Sequence, residues 1–456
     1  MKRRWGALLA AAAFAGALSA QDRFSGSVAT GAATPEALHL SLADAIARGM
    51  KTNLGALVAN QDVRSAEAAR KLALSRLLPN VTGSVSEESQ QINLAAFGLS
   101  LPGFPKIVGP FGLSDARASA TAPILNFQSI YNNRAASADQ RAAGLSAQDA
   151  RDVVALVVTG LYLQVGAAAS RIDTGVAQVK AAQATYDQAS DFRTNGLVPA
   201  IEVLRAQVEL QTQQQRLISY RNDENKLKLR LARAIGLPDG QSFDITDTIP
   251  YSAAPSLTLD DAIQRALSAR ADYRAAEERV KAGELSIKAA GAGALPSAEF
   301  DGNYGDIGPS FANSHGTFAA TVGLRIPIFQ GGRVKAEVQQ ADAELERRRA
   351  ELADLRGKIS YEIRAAYLDL ASAGEQTKVA ANTVSLAEQQ LTQSQDRFSA
   401  GVADNLEVVQ AQEAVATAHE NYISSLYAYN AARATLGRSI GNAEKTIPSL
   451  LQGGTQ

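Results

Sequence analysis

The chain has 456 residues, and its 45 basic and 46 acidic side chains leave a net charge of −1. This balance provides no basic surface for nucleic acid, and the absence of cysteine excludes disulfides, thiolate metal sites and a lipid attached through cysteine. Aromatic residues make up only 6% of the sequence, whereas helix-forming Ala, Leu, Gln, Glu and Arg are frequent, which favours long exposed helices over a compact core.

The N-terminus has the three parts of a secretory signal peptide. Lys2 and two arginines precede an apolar stretch that is too short to span a bilayer, and small residues follow up to Ala20. We therefore predict a signal peptide over 1–20, an exported protein, and a flexible segment over 21–38. Since no later segment offers about twenty continuous apolar residues, a closed β-barrel is the membrane structure to look for.

The rest of the sequence is duplicated. Residues 42–46 match 259–263 at an offset of 217, and residues 201–207 match 406–412 at an offset of 205. The offset changes because the first repeat has extra residues, and we assign them to a proline-containing loop over 89–112.

Each repeat opens with an alternation of apolar and polar residues, which predicts β-strands. Val81, Gly83 and Val85 alternate with polar residues in the first repeat, and residues 298–304 and 318–326 alternate in the second. Runs of about ten residues have the length of a tilted membrane strand. Each repeat is thus expected to contribute a hairpin of two strands.

Long helices are expected after each hairpin because no proline interrupts the sequence between Pro123 and Pro199 or between Pro327 and Pro448. A helix over 332–400 would measure roughly 100 Å at 1.5 Å per residue. Apolar residues recur in it every seven positions, which predicts coiled-coil packing. They are Val338, Leu345, Leu352, Ile359 and Ala366, with Val334, Ala341 and Leu355 on the companion seam.

These patterns predict a mixed all-helical and β-barrel membrane protein, with duplicated strand-helix halves, four strands and long coiled-coil helices in each chain. Four strands are too few to close a barrel, and an open sheet edge in lipid leaves backbone groups unpaired, so several chains are expected to share one barrel. The first repeat is predicted over 39–241, with a hairpin over about 79–127 and helices over about 128–195 and 200–235. The second repeat is predicted over 242–441, with a hairpin over about 296–330 and helices over about 332–400 and 404–437. A C-terminal tail is predicted over 442–456.

The segments between the paired helices carry a family likeness. Residues 192–196 followed by 202–207, and residues 398–401 followed by 406–412, form one signature in both repeats. With the signal peptide and the duplicated halves, they give a chain that resembles the TolC family of outer-membrane efflux proteins over essentially all of its mature sequence. The resemblance implies a homotrimer, whose shared 12-stranded β-barrel lies in the outer membrane and is continued by an α-helical barrel in the periplasm.

The same resemblance implies an activity and its partners. The protein would be the outer-membrane channel of a tripartite efflux or type I secretion system, a passive exit duct that crosses the periplasm and contacts outer-membrane lipid. A periplasmic adaptor would dock to it, and an inner-membrane pump of RND, ABC or MFS type would deliver the substrates. The resemblance implies no catalytic residue, cofactor, metal or nucleic acid, and the cargo is left open.

Candidate site residues follow from the family at the periplasmic tip of the helical barrel. The tip turns are assigned to Gly196 and Gly401, the candidate pore constriction to Glu407, Asp404 and Gln410, and the repeat signature of the tip helices to Glu202, Gln207 and Gln412. Some family members have a second acid where Gln410 stands and a basic latch residue where Ala403 stands. This chain is therefore expected to have a weaker acidic ring and no such latch.

Structural roles for these residues stay open as alternatives. The two glycines fit simple left-handed turns between antiparallel helices. Glu202 and Glu407 fit carboxylates that the helix dipole favours in a first turn.

Three other classes of protein are alternatives to a channel. An exported coiled-coil stalk would share the heptads but would not need strand hairpins, and a periplasmic adaptor has one helical hairpin flanked by compact β-domains. An enzyme would need a convergent cluster of His, Cys or carboxylate residues, which the sequence does not display. The histidines His39, His315 and His419 lie too far apart in sequence to suggest a metal site.

Overall fold

The computed structural model describes residues 23–98, 103, 105–247, 251 and 257–451, so the predicted signal peptide lies outside the described residues. The chain forms two compact units, each assembled from separate parts of the sequence. The first comprises Met1–Asp62, Gly144–Ala275 and Ala353–Gln456, and the second comprises Val63–Ala143 and Ala276–Leu352.

The described elements follow the same order in the two repeats. In the first repeat they are β1 (Leu38–Leu40), α1 (Leu42–Thr52), α2 (Leu54–Ser75), β2 (Asn80–Asn93), β3 (Ile107–Leu125), α3 (Phe127–Thr194) and α4 (Ala200–Ile235). In the second repeat they are β4 (Phe243–Ile245), α5 (Leu259–Ala269), α6 (Ala271–Gly291), β5 (Ser297–Gly308), β6 (His315–Arg325), α7 (Arg333–Ser399), α8 (Asn405–Ile440) and α9 (Ala443–Leu451). Four helices that precede the hairpins were not predicted from the sequence, namely α1, α2, α5 and α6.

The second unit contains one antiparallel sheet in the strand order β2-β3-β5-β6. Its two central strands come from different repeats, and they pair from Ser114 with Gly308 to Leu125 with Ala298. The two hairpins therefore form one continuous sheet. Among the described strands, none pairs with the outer edge of β2 or of β6.

The strand register separates an apolar face of this sheet from a polar one. Val81 is paired with Ala120, Ala120 with Gly302, and Gly302 with Ala320, so these residues lie in one row on one face. The next row on this face ends in Phe318, which is 78% exposed. We call this side the apolar sheet face.

The opposite face of the sheet carries polar and charged residues. Arg117 lies 3.0 Å from the Asp115 carboxylate, and its guanidinium also donates to Asn303 Oδ1 at 3.2 Å. The sheet therefore has the two-sided character of strands that separate lipid from a polar interior.

The prediction of a loop over 89–112 is wrong in part, because the strands of the first hairpin extend into this segment. They pair out to Asn93 and Ile107, so the connecting segment between them is shorter than predicted. Pro110 suggested a loop, but it lies within β3 opposite a shift in register that follows Gln90. A strand tolerates proline at such an irregularity because the regular ladder of N–H donors is already interrupted there.

The core of the first unit is built around α1, α3, α4 and α9. Its largest fully buried side chains include Tyr162, Ile235 and Ile447. By length and composition, α3 is the one described helix that could cross a membrane, and 44% of its most apolar 18-residue window is buried. Val154 and Val158 of α3 belong to this core, so packing accounts for part of the apolar character of the helix.

The heptad seam of α7 continues beyond the last predicted position, Ala366. Four further residues at sevenfold spacing are each at most 8% exposed, and these are Ala373, Ala380, Ala387 and Ser394. In this part of the helix the seam consists of small side chains, which allow neighbouring helices to approach closely. Ala366 and Ala373 pack with Tyr429 and Leu436 of α8 in one buried cluster.

Two matching tyrosines anchor the start of each repeat. Tyr162 donates from its hydroxyl to the Leu40 carbonyl oxygen at 3.0 Å, and Tyr367, at the offset of 205, donates to the Leu257 carbonyl oxygen at 2.7 Å. Both carbonyls lie shortly before a short amphipathic helix. Burial raises the pKa of Tyr162 to about 12, so this phenol stays protonated and remains a donor.

The segment predicted to be flexible, 21–38, makes specific contacts in its described part. Ser27 pairs with Asn53 in an isolated β-bridge, and the Thr34 N–H donates to Gln241 Oε1 at 2.7 Å. The structure therefore differs from the prediction, because polar side chains of the first unit bind the backbone of this segment.

The C-terminal tail predicted over 442–456 begins with a helix that packs into the core. Ala443 and Ile447 of α9 are fully buried, and Glu444 forms an ion pair with Arg151 of α3 at 2.9 Å. The tail thus contributes to the stability of the first unit.

Replacing the two anchoring tyrosines should show how much each contact contributes. Tyr162→Phe removes a fully buried donor and leaves two acceptors without it, the Leu40 carbonyl and Asp247, so we expect a loss of about 2 kcal/mol. Tyr367→Phe is the matched variant at a half-buried position and should lose less than about 1 kcal/mol. Thermal unfolding of both variants in detergent measures the difference, and equal losses would contradict it.

Candidate functional site

The two turns that carry the predicted tip glycines have the same geometry. Gly196 and Gly401 both adopt a φ of +73°, in the left-handed region that favours glycine. The Leu197 N–H donates to the Phe192 carbonyl at 2.8 Å, and the Val402 N–H donates to the Arg397 carbonyl at 3.0 Å. Each long helix therefore ends in a Schellman motif that uses the glycine as its left-handed residue.

The helices that follow these turns begin differently. Asp404 is the N-cap of α8, and its side chain accepts from the Glu407 N–H at 3.4 Å. Pro199 stands at the matching position before α4 and has no side-chain acceptor. Asp404 thus has a structural role at the start of α8, and the cap helps to fix where Glu407 lies.

The two turns are in direct contact with each other. The rings of Phe192 and Phe398 lie 5.6 Å apart, and the Asn405 N–H donates to the Glu202 carboxylate at 3.3 Å. The Asn405 side chain also donates to the Glu202 carbonyl at 3.2 Å. Glu202 is only 7% exposed and forms an ion pair with Arg205 at 2.9 Å. We call this connected pair of turns the tip contact.

Glu202 is therefore not only a first-turn carboxylate favoured by the helix dipole, because its hydrogen bonds with Asn405 also connect the two repeats. Asn405 was not predicted from the sequence, and the residue at its position in the first repeat is Ala200. That difference between otherwise matching segments is the signal that could have identified it.

Glu407, the predicted constriction residue, has a basic partner within the chain. Its carboxylate lies 3.1 Å from Arg397 Nε, and its side chain is 40% exposed. Sequence spacing did not indicate this pair, because it runs across the turn between two helices. The arginine compensates part of the negative charge that Glu407 would present.

The remaining predicted residues are dispersed around the turns. Gln410 and Gln207 are exposed on α8 and α4, whereas Gln412 is 7% exposed and donates to Thr185 Oγ1 at 2.8 Å. The structure thus brings Glu202 to the tip contact, and Asp404 and Glu407 to the start of α8. Within the described residues, no group of three His, Cys, Asp or Glu side chains is arranged to hold a metal ion.

Alanine substitutions should separate the conformational role of the tip glycines from a packing role. Gly401→Ala should destabilise the protein by about 1–2 kcal/mol, because a Cβ there meets no described atom within 4 Å and only the positive φ opposes it. Gly357→Ala is the matched control within α7, where a Cβ also meets no described atom within 4 Å, and it should stabilise by up to about 1 kcal/mol. Thermal unfolding in detergent measures both, and shifts of the same sign would overturn this explanation.

Comparison with known proteins identifies relatives of the chain. The model of the family described as outer membrane efflux protein matches residues 53–237 and 262–442. The multidrug resistance outer membrane protein MdtQ of Escherichia coli O157:H7 is 26% identical over 309 residues, which cover 63% of this chain and 62% of MdtQ. The pyoverdine export outer membrane protein OpmQ of Pseudomonas putida is 26% identical over 307 residues, which cover 66% of this chain and 64% of OpmQ. The chain thus aligns with less than two thirds of the length of these relatives.

Solved structures agree with this relationship at the level of the fold. A crystal structure of CusC, reported with its transmembrane channel formation, superposes with a TM-score of 0.76 at 15% identity, over 90% of this chain and 95% of CusC. The matched family segments lie one in each repeat and together span well over half of the sequence. The chain therefore belongs to the outer membrane efflux protein family.

Proposed function

We propose that this protein is the outer-membrane channel of a tripartite efflux or type I secretion system, a passive exit duct for substrates that an inner-membrane pump delivers. The observation that carries the proposal is the four-stranded sheet with an exposed apolar face and two unpaired outer edges among the described strands. Family membership and the outer-membrane relatives support the same location.

The sheet supports a shared barrel in the outer membrane. Its strands have 14, 19, 12 and 11 residues, and each reaches the roughly 9–11 residues that a tilted membrane strand requires. We propose that β6 of one chain pairs with β2 of the next, so that three chains close a 12-stranded barrel. The apolar sheet face would then contact lipid, and the polar face would line the interior.

The long helices support a continuous helical barrel in the same trimer. Helices α3 and α7 have 68 and 67 residues. Several apolar side chains on α7 are exposed in the single chain, including Tyr361, Leu368 and Leu386. Exposed apolar side chains in such number favour burial against further copies of the chain.

The partners follow from this function and are proposals of the same kind. A periplasmic adaptor would bind the end of the helical barrel, and a pump of RND, ABC or MFS type would supply the cargo. The named cargo classes of the relatives differ, because MdtQ is a multidrug resistance protein and OpmQ exports pyoverdine. The relatives therefore do not favour one class of cargo for this chain. A stalk or an adaptor would not need the apolar sheet face, and a passive duct needs no catalytic residue.

Single-channel recording of the purified mature protein in a planar bilayer tests the channel proposal. We expect discrete conductance steps and, in the same sample, the mass of a trimer. A water-soluble species without conductance would contradict the proposal and favour the stalk or adaptor.

We further propose that Glu407, with Asp404 and Gln410 beside it, lines the narrowest point of the duct and favours cations there. The ion pair with Arg397 predicts opposite effects for two substitutions. Glu407→Gln should lower the ratio of cation to anion permeability, whereas Arg397→Gln should raise it by releasing the carboxylate. Reversal potentials in asymmetric salt measure this ratio, and unchanged selectivity and conductance in both variants would rule out the constriction role.

A further inference from the structure

The two hairpins of the four-stranded sheet have the same pairing register. In the repeat, Pro79 and Pro296 align β2 with β5, and Pro123 and Pro327 align β3 with β6. With these alignments, every pair that β2 forms over 80–90 has its counterpart in the second hairpin. Examples are Asn80 with Thr121 and Ser297 with Arg325, and Ser89 with Gly112 and Asp306 with Gly316. The hairpins are therefore two copies of one structural unit.

The contact between the two hairpins provides a template for the open edges of the sheet. Ser119 of β3 pairs with Asn303 of β5 in the middle of this contact. Because β6 is the counterpart of β3 and β2 is the counterpart of β5, the edge of β6 can pair with β2 of another chain in the same way. Replacing Ser119 and Asn303 by their counterparts sets Gly323 opposite Ser86 of the next chain.

Matching residues differ in exposure where a neighbouring strand is missing. Ile124 and Ile328 each follow the aligned proline, and they are 58% and 96% exposed. β3 has β5 beside it, whereas none of the described strands lies on the outer side of β6. Similarly, every residue of β2 over 80–89 is exposed, whereas more than half of their counterparts in β5 are at least partly buried. Both outer strands thus have the exposure expected of strands that lack one neighbour.

The inferred register keeps the two faces of the sheet continuous from chain to chain. Leu324 lies on the apolar sheet face and would stand opposite Val85, which lies on the same face of β2 as Val81. A shift by one residue would set Leu324 against Ser84 or Ser86, and the apolar sheet face would then join the polar face of the next chain. A shift by two residues would keep the faces together, so the repeat is what selects among these registers.

The register also sets a regular displacement of the hairpins along the strand direction. The row of pairs that begins at Val81 crosses one chain to Ala320 and would meet Ser89 of the next chain. On its way the row passes Gly302, which is the counterpart of Val85. Each hairpin is thus displaced by the same step from the hairpin before it, and a closed barrel of tilted strands requires a stagger of this kind.

We propose that copies of this chain join edge to edge with Gly323 of β6 opposite Ser86 of β2 in the next chain, in the register of the contact between β3 and β5. A second copy of the chain then occupies each open edge. In lipid, this pairing gives the backbone N–H and carbonyl groups of both edges their partners. The inference deepens the proposed function and rests on its shared barrel, but it does not depend on the number of chains.

Disulfide cross-linking of the purified mature protein in detergent tests the register, and a chain without cysteine is suited to it. On mild oxidation, the double variant Gly323→Cys/Ser86→Cys should form covalent dimers and trimers on a denaturing gel without reductant. The link must join two chains, because β3 and β5 separate the two positions within one chain by roughly 14 Å, beyond the reach of a disulfide. A Cβ at Gly323 meets no described atom within 4 Å, so the variant should fold.

Two matched controls shift the second cysteine by two residues on the same face. They are Gly323→Cys/Ser84→Cys and Gly323→Cys/Glu88→Cys. Each should give at least about fivefold less covalent oligomer, because diagonal neighbours lie roughly 7–8 Å apart, at the limit for a disulfide. Ser119→Cys/Asn303→Cys is the positive control for oxidation, since this pair lies within one chain and should form a disulfide without covalent oligomers.

Two results would overturn the inferred register. One is more covalent oligomer from either shifted pair than from Gly323→Cys/Ser86→Cys, which would leave the shared barrel in place with another register. The other is no covalent oligomer from any of the three pairs although the positive control is oxidised, which would exclude pairing between these edges. Failure of the proposed function is recognised separately, because the unmodified protein would then lack both conductance and the mass of a trimer.

A second pair keeps the test decisive if Gly323→Cys/Ser86→Cys fails to fold. Leu324→Cys/Val85→Cys examines the same register on the apolar sheet face, where both native side chains are exposed. It should give more covalent oligomer than Leu324→Cys/Gly83→Cys, its control with a shift of two residues. The opposite order, or no covalent oligomer from either variant, would overturn the register.

Discussion

The outer edges of strands β2 and β6 are the constraint on which the proposed assembly depends. In lipid, a backbone N–H or carbonyl group has no water to bind, so an open edge is costly and the sheet must close with strands from elsewhere. In the proposed barrel, the apolar sheet face would contact lipid. The pairing of β3 with β5 joins the four strands of one chain into a single sheet, so each chain would contribute one such sheet to the barrel. Association of copies is therefore a condition of membrane insertion in this proposal.

The duplication extends from the sequence to individual contacts. Ser41 and Thr258 cap the matching helices α1 and α5, and each accepts from the N–H three residues later. At the ends of these helices the repeats diverge, because buried Asn53 stands where the second repeat has buried Arg270. Burial alone would raise the pKa of Asp272, but the Arg270 guanidinium, 2.6 Å away, holds it below its usual value. The matching buried position thus holds a neutral amide in the first repeat and a charged guanidinium in the second.

Period-two alternation and proline-free runs were sufficient to predict strands and long helices, because both follow from local rules. The length of the first hairpin was not predictable in this way, since Pro110 signals a loop unless the register of the partner strand is known. The two glycine turns follow from residue type, whereas the pairs of Glu202 with Asn405 and of Glu407 with Arg397 depend on how helices meet.

Glu202 and Glu407 occupy matching positions in the first turns of α4 and α8 but have different roles. Glu202 is buried in a contact with Asn405, so its charge stabilises the joint between the turns and is withheld from solvent. Glu407 remains partly exposed beside Arg397, and in the proposed channel its charge would act on passing ions. Because Arg397 belongs to the preceding helix, any movement of that helix end relative to α8 would change the net charge presented at this point.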